Sequence, residues 1–213
     1  MNGYDITPTT ALLIIDVQND FCPGGSLAVE HGNDIIPVIN HVSPRFPMVV
    51  ATQDWHPEGH VSFASFHEGA AVQDIVRIGD IDQILWPDHC VQGTRGAEFH
   101  PELDVKPVNL ILHKGTKQEL DSYSAFFEND KKTETGLRSL LQGLGFDRVV
   151  VCGLAADVCV YFTAVDARAV GFETAVLWDA TRGVDIPEGS VEKARDDMKS
   201  RGVAFIESSE LRA

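Results

Sequence analysis

Short apolar runs with β propensity recur along the chain with helix-forming stretches between them, and this rhythm constrains the fold more than any other feature. Strand candidates fall at residues 11–17, 48–52, 108–113, 148–152, 174–178 and 204–206. Helix candidates fall between them, at 33–42, 135–144, 158–169 and 187–199. Runs such as ALLII and VVV have no polar alternation, as expected of strands covered on both faces. Strands joined through helices pair in parallel, so the predicted fold is α/β and doubly wound: three α/β/α layers around a mostly parallel six-stranded sheet. A length of 213 residues suits one domain spanning 1–213. Residues at about 53–107 break the rhythm with Pro, Gly and His, and read as an irregular insertion carrying a metal site.

Charge and cysteine usage narrow the function classes. A formal net charge of -15 repels phosphate backbones and anionic lipid, which excludes nucleic acid and membrane surfaces as expected partners. The apolar run at 11–15 is too short for a signal or spanning segment, so a cytoplasmic protein is expected. Cys22, Cys90, Cys152 and Cys159 form no CxxC pair and read as reduced thiols. Composition leaves a homo-oligomer open.

In an open α/β sheet, ligands bind beyond the carboxyl ends of the strands, and chemically capable residues stand at those ends here. Asp16 closes the first strand, Asp54 the second, Lys114 follows the third, and Cys159 follows the fourth after the turn Gly153-Leu154-Ala155-Ala156-Asp157. A carboxylate, an ammonium and a thiol are the parts of an amidase apparatus. With unperturbed groups, moving the thiol proton to the acid is uphill by about 6 kcal/mol, so the site must shift both. Burial raises Asp16, while a helix N-terminus and Lys114 lower Cys159. The small residues of the turn allow backbone N–H groups to form an oxyanion hole, and Asp157 is the expected N-cap of the following helix.

Metal-ligand chemistry is concentrated in the insertion. Asp54 and His56 flank Trp55, so in extended backbone their side chains share a side, and His89 in WPDHC offers a third donor. His60, in the same DWHPEGH segment, is a further candidate ligand. A mixed O/N set suits Zn²⁺, Fe²⁺ or Mn²⁺. His113, inside an apolar strand, reads as a core histidine, and His31, His41 and His100 as surface residues.

Taken together, the motifs ALLIIDVQNDFCPGGSLAV, ATQDWHPEGHVSF, LWPDHCVQGTRGAEFHPEL, LHKG and VVVCGLAADVCV resemble the nicotinamidase/pyrazinamidase family of isochorismatase-like cysteine hydrolases over nearly the whole chain. The resemblance implies Cys159 as nucleophile, Asp16 as general base and Lys114 as the charge-supporting residue. It implies an oxyanion hole from the N–H groups of Ala155 and Cys159, with a cis peptide between Leu154 and Ala155. It implies one divalent metal ion, Zn²⁺ foremost, on Asp54, His56 and His89, with Phe21, Trp86 and Tyr123 around the substrate ring. The implied reaction is hydrolysis of nicotinamide to nicotinate and ammonia through a thioester, in NAD salvage, with pyrazinamide as a second substrate. The nearest rival is a related amidohydrolase acting on a carbamoyl or ureido compound, which would not need the metal set. A dinucleotide-binding module is disfavoured because DVQNDFCPGG, not GxGxxG, follows the first strand. A two-histidine, one-carboxylate oxygenase would have no use for Asp16, Lys114 and Cys159 together.

Overall fold

The computed structural model describes residues 3–212. Its strands are β1 (Tyr4–Asp5), β2 (Thr10–Ile15), β3 (Met48–Asp54), β4 (Ile75–Ile78), β5 (Ile81–Ile84), β6 (Leu110–Lys114), β7 (Arg148–Leu154), β8 (Glu173–Arg182), β9 (Ala204–Ile206) and β10 (Leu211–Arg212). The helices are α1 (Ile36–Val42), α2 (Leu137–Gly143), α3 (Cys159–Ala169) and α4 (Ser190–Ser200). Six strands form one sheet in the order β6-β3-β2-β7-β8-β9, every pair parallel. The chain winds outward from β2 through β3 to β6, then returns to the middle at β7 and winds the other way. The reversal places the topological switch point between β2 and β7, where Leu13 pairs with Val151 and Ile15 with Gly153.

The continuous apolar run of β2 is fully buried because both of its faces are covered. Leu12 and Ile14 pack with Ile36, Ile39 and Val42 of α1 on one face. Leu13 and Ile15 pack with Leu137 and Leu141 of α2, Val160 and Ala164 of α3, and Met198 of α4 on the other. These are the three layers expected from the sequence. Leu177 and Cys152 join the first face, Val151 and Val176 the second, so strand alternation sorts the central strands between two cores.

Several local expectations need correction. The helix expected at 33–42 begins as a 3₁₀ turn at Gly32–Ile35 and is α-helical only over Ile36–Val42. The segment read as irregular contains the antiparallel hairpin β4–β5, turned at Gly79, whose φ of +57° suits glycine. β4 alternates exposed and half-buried positions, whereas β5 buries the polar Gln83 and leaves Ile81 and Ile84 half-buried, a weak pattern against the surrounding Pro and Gly residues. β8 continues to Arg182, beyond the apolar run, by re-pairing with β7 across an irregularity between Val151 and Gly153. His113 is exposed, not core: β6 is an edge strand, and the ring stacks on Trp55 with centroids 4.4 Å apart. His100, expected at the surface, is half-buried, and its Nδ1 accepts from the Glu102 N–H. All four cysteines are free and buried. Among the described residues no helix is long and apolar enough to cross a membrane.

Candidate active site

Four strand ends deliver the predicted residues to one point beside the switch. Asp54 and Lys114 are the last residues of β3 and β6 and are paired in register. Asp16 follows β2 with φ of +49°, a left-handed turn that swings its carboxylate back over the sheet. There it receives the Thr52 hydroxyl at 2.6 Å, while its own N–H donates to the same oxygen. Cys159 is the first residue of α3, so its N–H belongs to the first-turn donors that have no intrahelical acceptor.

Lys114 is the hub of this cluster. Its ammonium lies 2.8 Å from Asp16 Oδ2, contacts Asp54 Oδ1, donates to the Ser122 carbonyl at 3.1 Å and reaches Cys159 Sγ at 3.4 Å. Oδ2 of Asp16 has no well-aligned hydrogen bond, so the ion pair is its compensation. The acceptor atoms of Asp16, Asp54 and Cys159 lie within 4.8 Å of one another. All four side chains are buried.

The electrostatics follow from that burial. Desolvation pushes the Asp16 carboxyl up to about 6 against the pull of Lys114. Desolvation also pushes the Cys159 thiol well above its usual value, Lys114 pulls it down, and Asp16 and Asp54 push it up again. For Asp54, burial is outweighed by Lys114, then by His56 and His89, which hold it below the usual carboxylate range. Burial opposes the Lys114 charge, but Asp16 and Asp54 overcome it and raise its pKa well above normal. Burial thus favours the neutral thiol at Cys159, while Asp16 and Asp54 favour the charged form of Lys114.

Asp54 Oδ2 lies 3.7 Å from His56 Nε2 and 3.9 Å from His89 Nε2. His56 Nδ1 donates to the Gly115 carbonyl at 2.9 Å and His89 Nδ1 to the Pro87 carbonyl at 2.7 Å. Each carbonyl fixes the hydrogen on Nδ1, so in the neutral ring Nε2 carries the lone pair facing Asp54. Burial, with His56 adding to it, pushes His89 down to about 4 and keeps it neutral. For His56, burial is outweighed by the neighbouring Asp54 carboxylate, which raises its pKa. Three convergent donors, one carboxylate oxygen and two imidazole nitrogens oriented from behind, fit a divalent cation. His60 falls outside this trio. Its ring stacks on His56 at 4.1 Å, its Nδ1 meets Ser62 Oγ at 2.7 Å, its buried Nε2 has no partner, and it groups with His56 and Asp121.

A pocket of about 390 Å³, mouth included, opens onto Cys159. Phe21, Leu27, Trp86, Tyr123, Val158 and Val184 supply apolar walls, while Asp54, His89 and Asp121 supply polar ones. Trp86 Nε1 and Gln83 Nε2 both donate to the Tyr123 hydroxyl at 3.1 Å, which ties two walls together.

The isochorismatase domain family matches residues 10–210. The chain belongs to the isochorismatase family. It is 46% identical over 201 residues to the nicotinamidase of Acinetobacter baylyi, covering 94% of each chain. Among solved structures it resembles an Acinetobacter baumanii nicotinamidase/pyrazinamidase, at 46% identity and a TM-score of 0.94 over 96% of this chain and 98% of that one. PnC1 from L. infantum in complex with nicotinate is 42% identical, with a TM-score of 0.87 and 99% of both chains covered. The pyrazinamidase of Pyrococcus horikoshii in complex with zinc is 38% identical, with a TM-score of 0.76 over 94% of this chain and 99% of that one.

Within this family framework, the turn before Cys159 has the expected cis peptide between Leu154 and Ala155. The Ala155 carbonyl accepts from the N–H groups of Val158 and Val160. Asp157 is not the N-cap. Val158 occupies that position, and the Asp157 carboxylate instead receives the Val184 and Asp185 N–H groups and the Ser190 hydroxyl, at 2.9, 3.0 and 2.5 Å. It joins the turn to the segment leading into α4 because those N–H groups have no strand partner. Residues not anticipated from sequence also surround the centre: Thr52 on Asp16, Ser122 on Lys114, Asp121 in the pocket, and Gly115 behind His56. Only Gly115 carried a signal, as the glycine of the LHKG motif. At its φ of +62°, any Cβ would collide with the His56 ring.

Proposed function

We propose that the protein is a nicotinamidase, hydrolysing nicotinamide to nicotinate and ammonia through a thioester on Cys159, with pyrazinamide as a second substrate. The observation that carries the reading is Cys159 Sγ at 3.4 Å from the Lys114 ammonium and beside Asp16, at the floor of a pocket whose other wall holds Asp54 and His89. Relatives named nicotinamidases match along nearly the full chain, and one is bound to nicotinate. Residues 1–213 act as one hydrolase domain in which the 53–107 segment supplies His56 and His89.

Asp16 takes the thiol proton, and the Lys114 ammonium stabilises the resulting thiolate. Sulfur attacks the carboxamide carbon, and the N–H groups of Ala155 and Cys159 hold the developing oxyanion. Asp16 returns the proton to the departing nitrogen, the C–N bond breaks, and ammonia leaves. Asp16 then draws a proton from water as the water oxygen attacks the thioester, the C–S bond breaks, Asp16 returns that proton to the departing sulfur, and the acid leaves and ionises to nicotinate. Phe21, Trp86 and Tyr123 enclose the ring and exclude bulk water. Asp54, His56 and His89 would hold one divalent ion, Zn²⁺ foremost and Fe²⁺ or Mn²⁺ as alternatives, which when bound supplies a Lewis-acid contact for the pyridine nitrogen and so orients the ring. The product feeds NAD salvage in the cytoplasm. A metal-free carbamoyl or ureido amidohydrolase would leave the convergent, lone-pair-oriented histidines without a purpose.

Ammonia release from nicotinamide tests the reading. Cys159→Ala is expected to lower kcat roughly 10⁴-fold or more, the scale of nucleophile deletion. Turnover retained in that variant, or a wild type that ignores nicotinamide and cleaves a ureido compound, overturns it.

A further inference from the structure

The loop after β2 does more than present Asp16. Gln18 is fully buried in extended backbone, and its side chain closes on the main chain of Asp54 from both sides. Its Nε2 donates to the Asp54 carbonyl at 2.8 Å and to the Ala97 carbonyl at 2.9 Å, while its Oε1 accepts the Asp54 N–H at 2.8 Å. Two residues on, Asp20 Oδ2 accepts the Cys90 N–H at 2.7 Å. Cys90 follows His89 and sits at φ of +46°, a left-handed conformation costly for a residue with a Cβ. The Asp20 carboxylate is itself confined, because a Cβ on Gly96 would collide with it and a Cβ on Gly25 would collide with its backbone. Between them, Asn19 Nδ2 donates to the Arg95 carbonyl at 2.7 Å.

We propose that Gln18 and Asp20 are positioning residues of the metal centre, Gln18 fixing the backbone that carries Asp54 and Asp20 fixing the backbone next to His89. The assignment rests on the reading of Asp54, His56 and His89 as the ligand set. Neither side chain is placed among the ligands. Their effect passes through main-chain hydrogen bonds, which set where two donors from distant parts of the sequence meet. Residues 16, 18 and 20 thus link the base, one ligand and the neighbour of another within a single short loop, so the nucleophile's helper and the metal centre share one frame.

Zinc affinity of the purified full-length protein, measured by competition with a chromophoric chelator, tests this, together with the Co²⁺ absorption spectrum and thermal melts of the metal-free forms. Gln18→Ala and Asp20→Ala are expected to weaken zinc binding by roughly 10-fold or more, as loss of groups that orient ligands does, and to alter the cobalt spectrum. Asp20→Asn keeps an acceptor for the Cys90 N–H and should stay within about threefold of wild type, a rescue that lost stability alone would not give. If the melts show Asp20→Ala unfolded, Gln18→Ala read in the same way decides the matter. Zinc affinity within about twofold of wild type and an unchanged cobalt spectrum in a folded alanine variant overturn the assignment for that residue. His89→Ala separates this from the underlying reading. If it binds zinc as tightly as wild type, the ligand set is wrong and the proposal falls with it. If it loses zinc while Gln18→Ala and Asp20→Ala keep it, the positioning role alone is wrong.

Discussion

At Lys114 one ammonium faces two buried carboxylates and a thiol, and burial makes each of those relations decisive. Replacing it with methionine keeps much of the volume but leaves Asp16 and Asp54 unopposed. Lys114→Met is expected to abolish ammonia release and to destabilise the fold by about 3–5 kcal/mol, read from the denaturant midpoint. One residue on, Gly115 combines a left-handed φ with contact against His56. Gly115→Ala should cost about 1–3 kcal/mol and lower metal affinity, measured by urea unfolding and chelator competition. Asp16, Asp54, Lys114 and Cys159 were legible because chemical residues at strand ends are few. Thr52, Ser122 and Asp121 were not, because a hydroxyl or carboxylate becomes informative only when its neighbour is known. His60 was legible as a histidine but not in its orientation, which Ser62 and the His56 ring set.

Among the elements, β2 and β7 carry the site because they are central strands on either side of the switch point. Gly153, at φ of +114°, lets the two strands approach where a Cβ would collide with the Ile15 carbonyl. Gly153→Ala is therefore expected to cost roughly 2 kcal/mol or more and to displace the turn bearing Ala155, seen as a lowered urea midpoint with a fall in kcat. The parallel strands and α2, α3 and α4 were readable from apolar runs and helical spacing. The β4–β5 hairpin was not, since its half-exposed strands have no strong alternation. Nor was the role of Asp157, whose partners lie on the segment after β8 and at the first residue of α4.

For the whole molecule, Asp54, His56 and His89 converge only once the chain is folded, so an ion held there as proposed would stabilise the folded state. Metal removal is expected to lower the melting temperature and abolish nicotinamide hydrolysis, with both restored by Zn²⁺; at an ion concentration about 100 times the Kd the linkage is worth about 2.7 kcal/mol. Unaltered melting after verified metal removal contradicts this. The sequence by itself determined the layer order, the parallel sheet and the inventory of chemical groups, because periodicity and residue type are local properties. The tertiary structure alone decided which nitrogens face Asp54, which carboxylate each amide grips and which acidic groups burial shifts. Those depend on distances between strand ends and on burial, which exist only once β3, β2, β6 and β7 lie side by side.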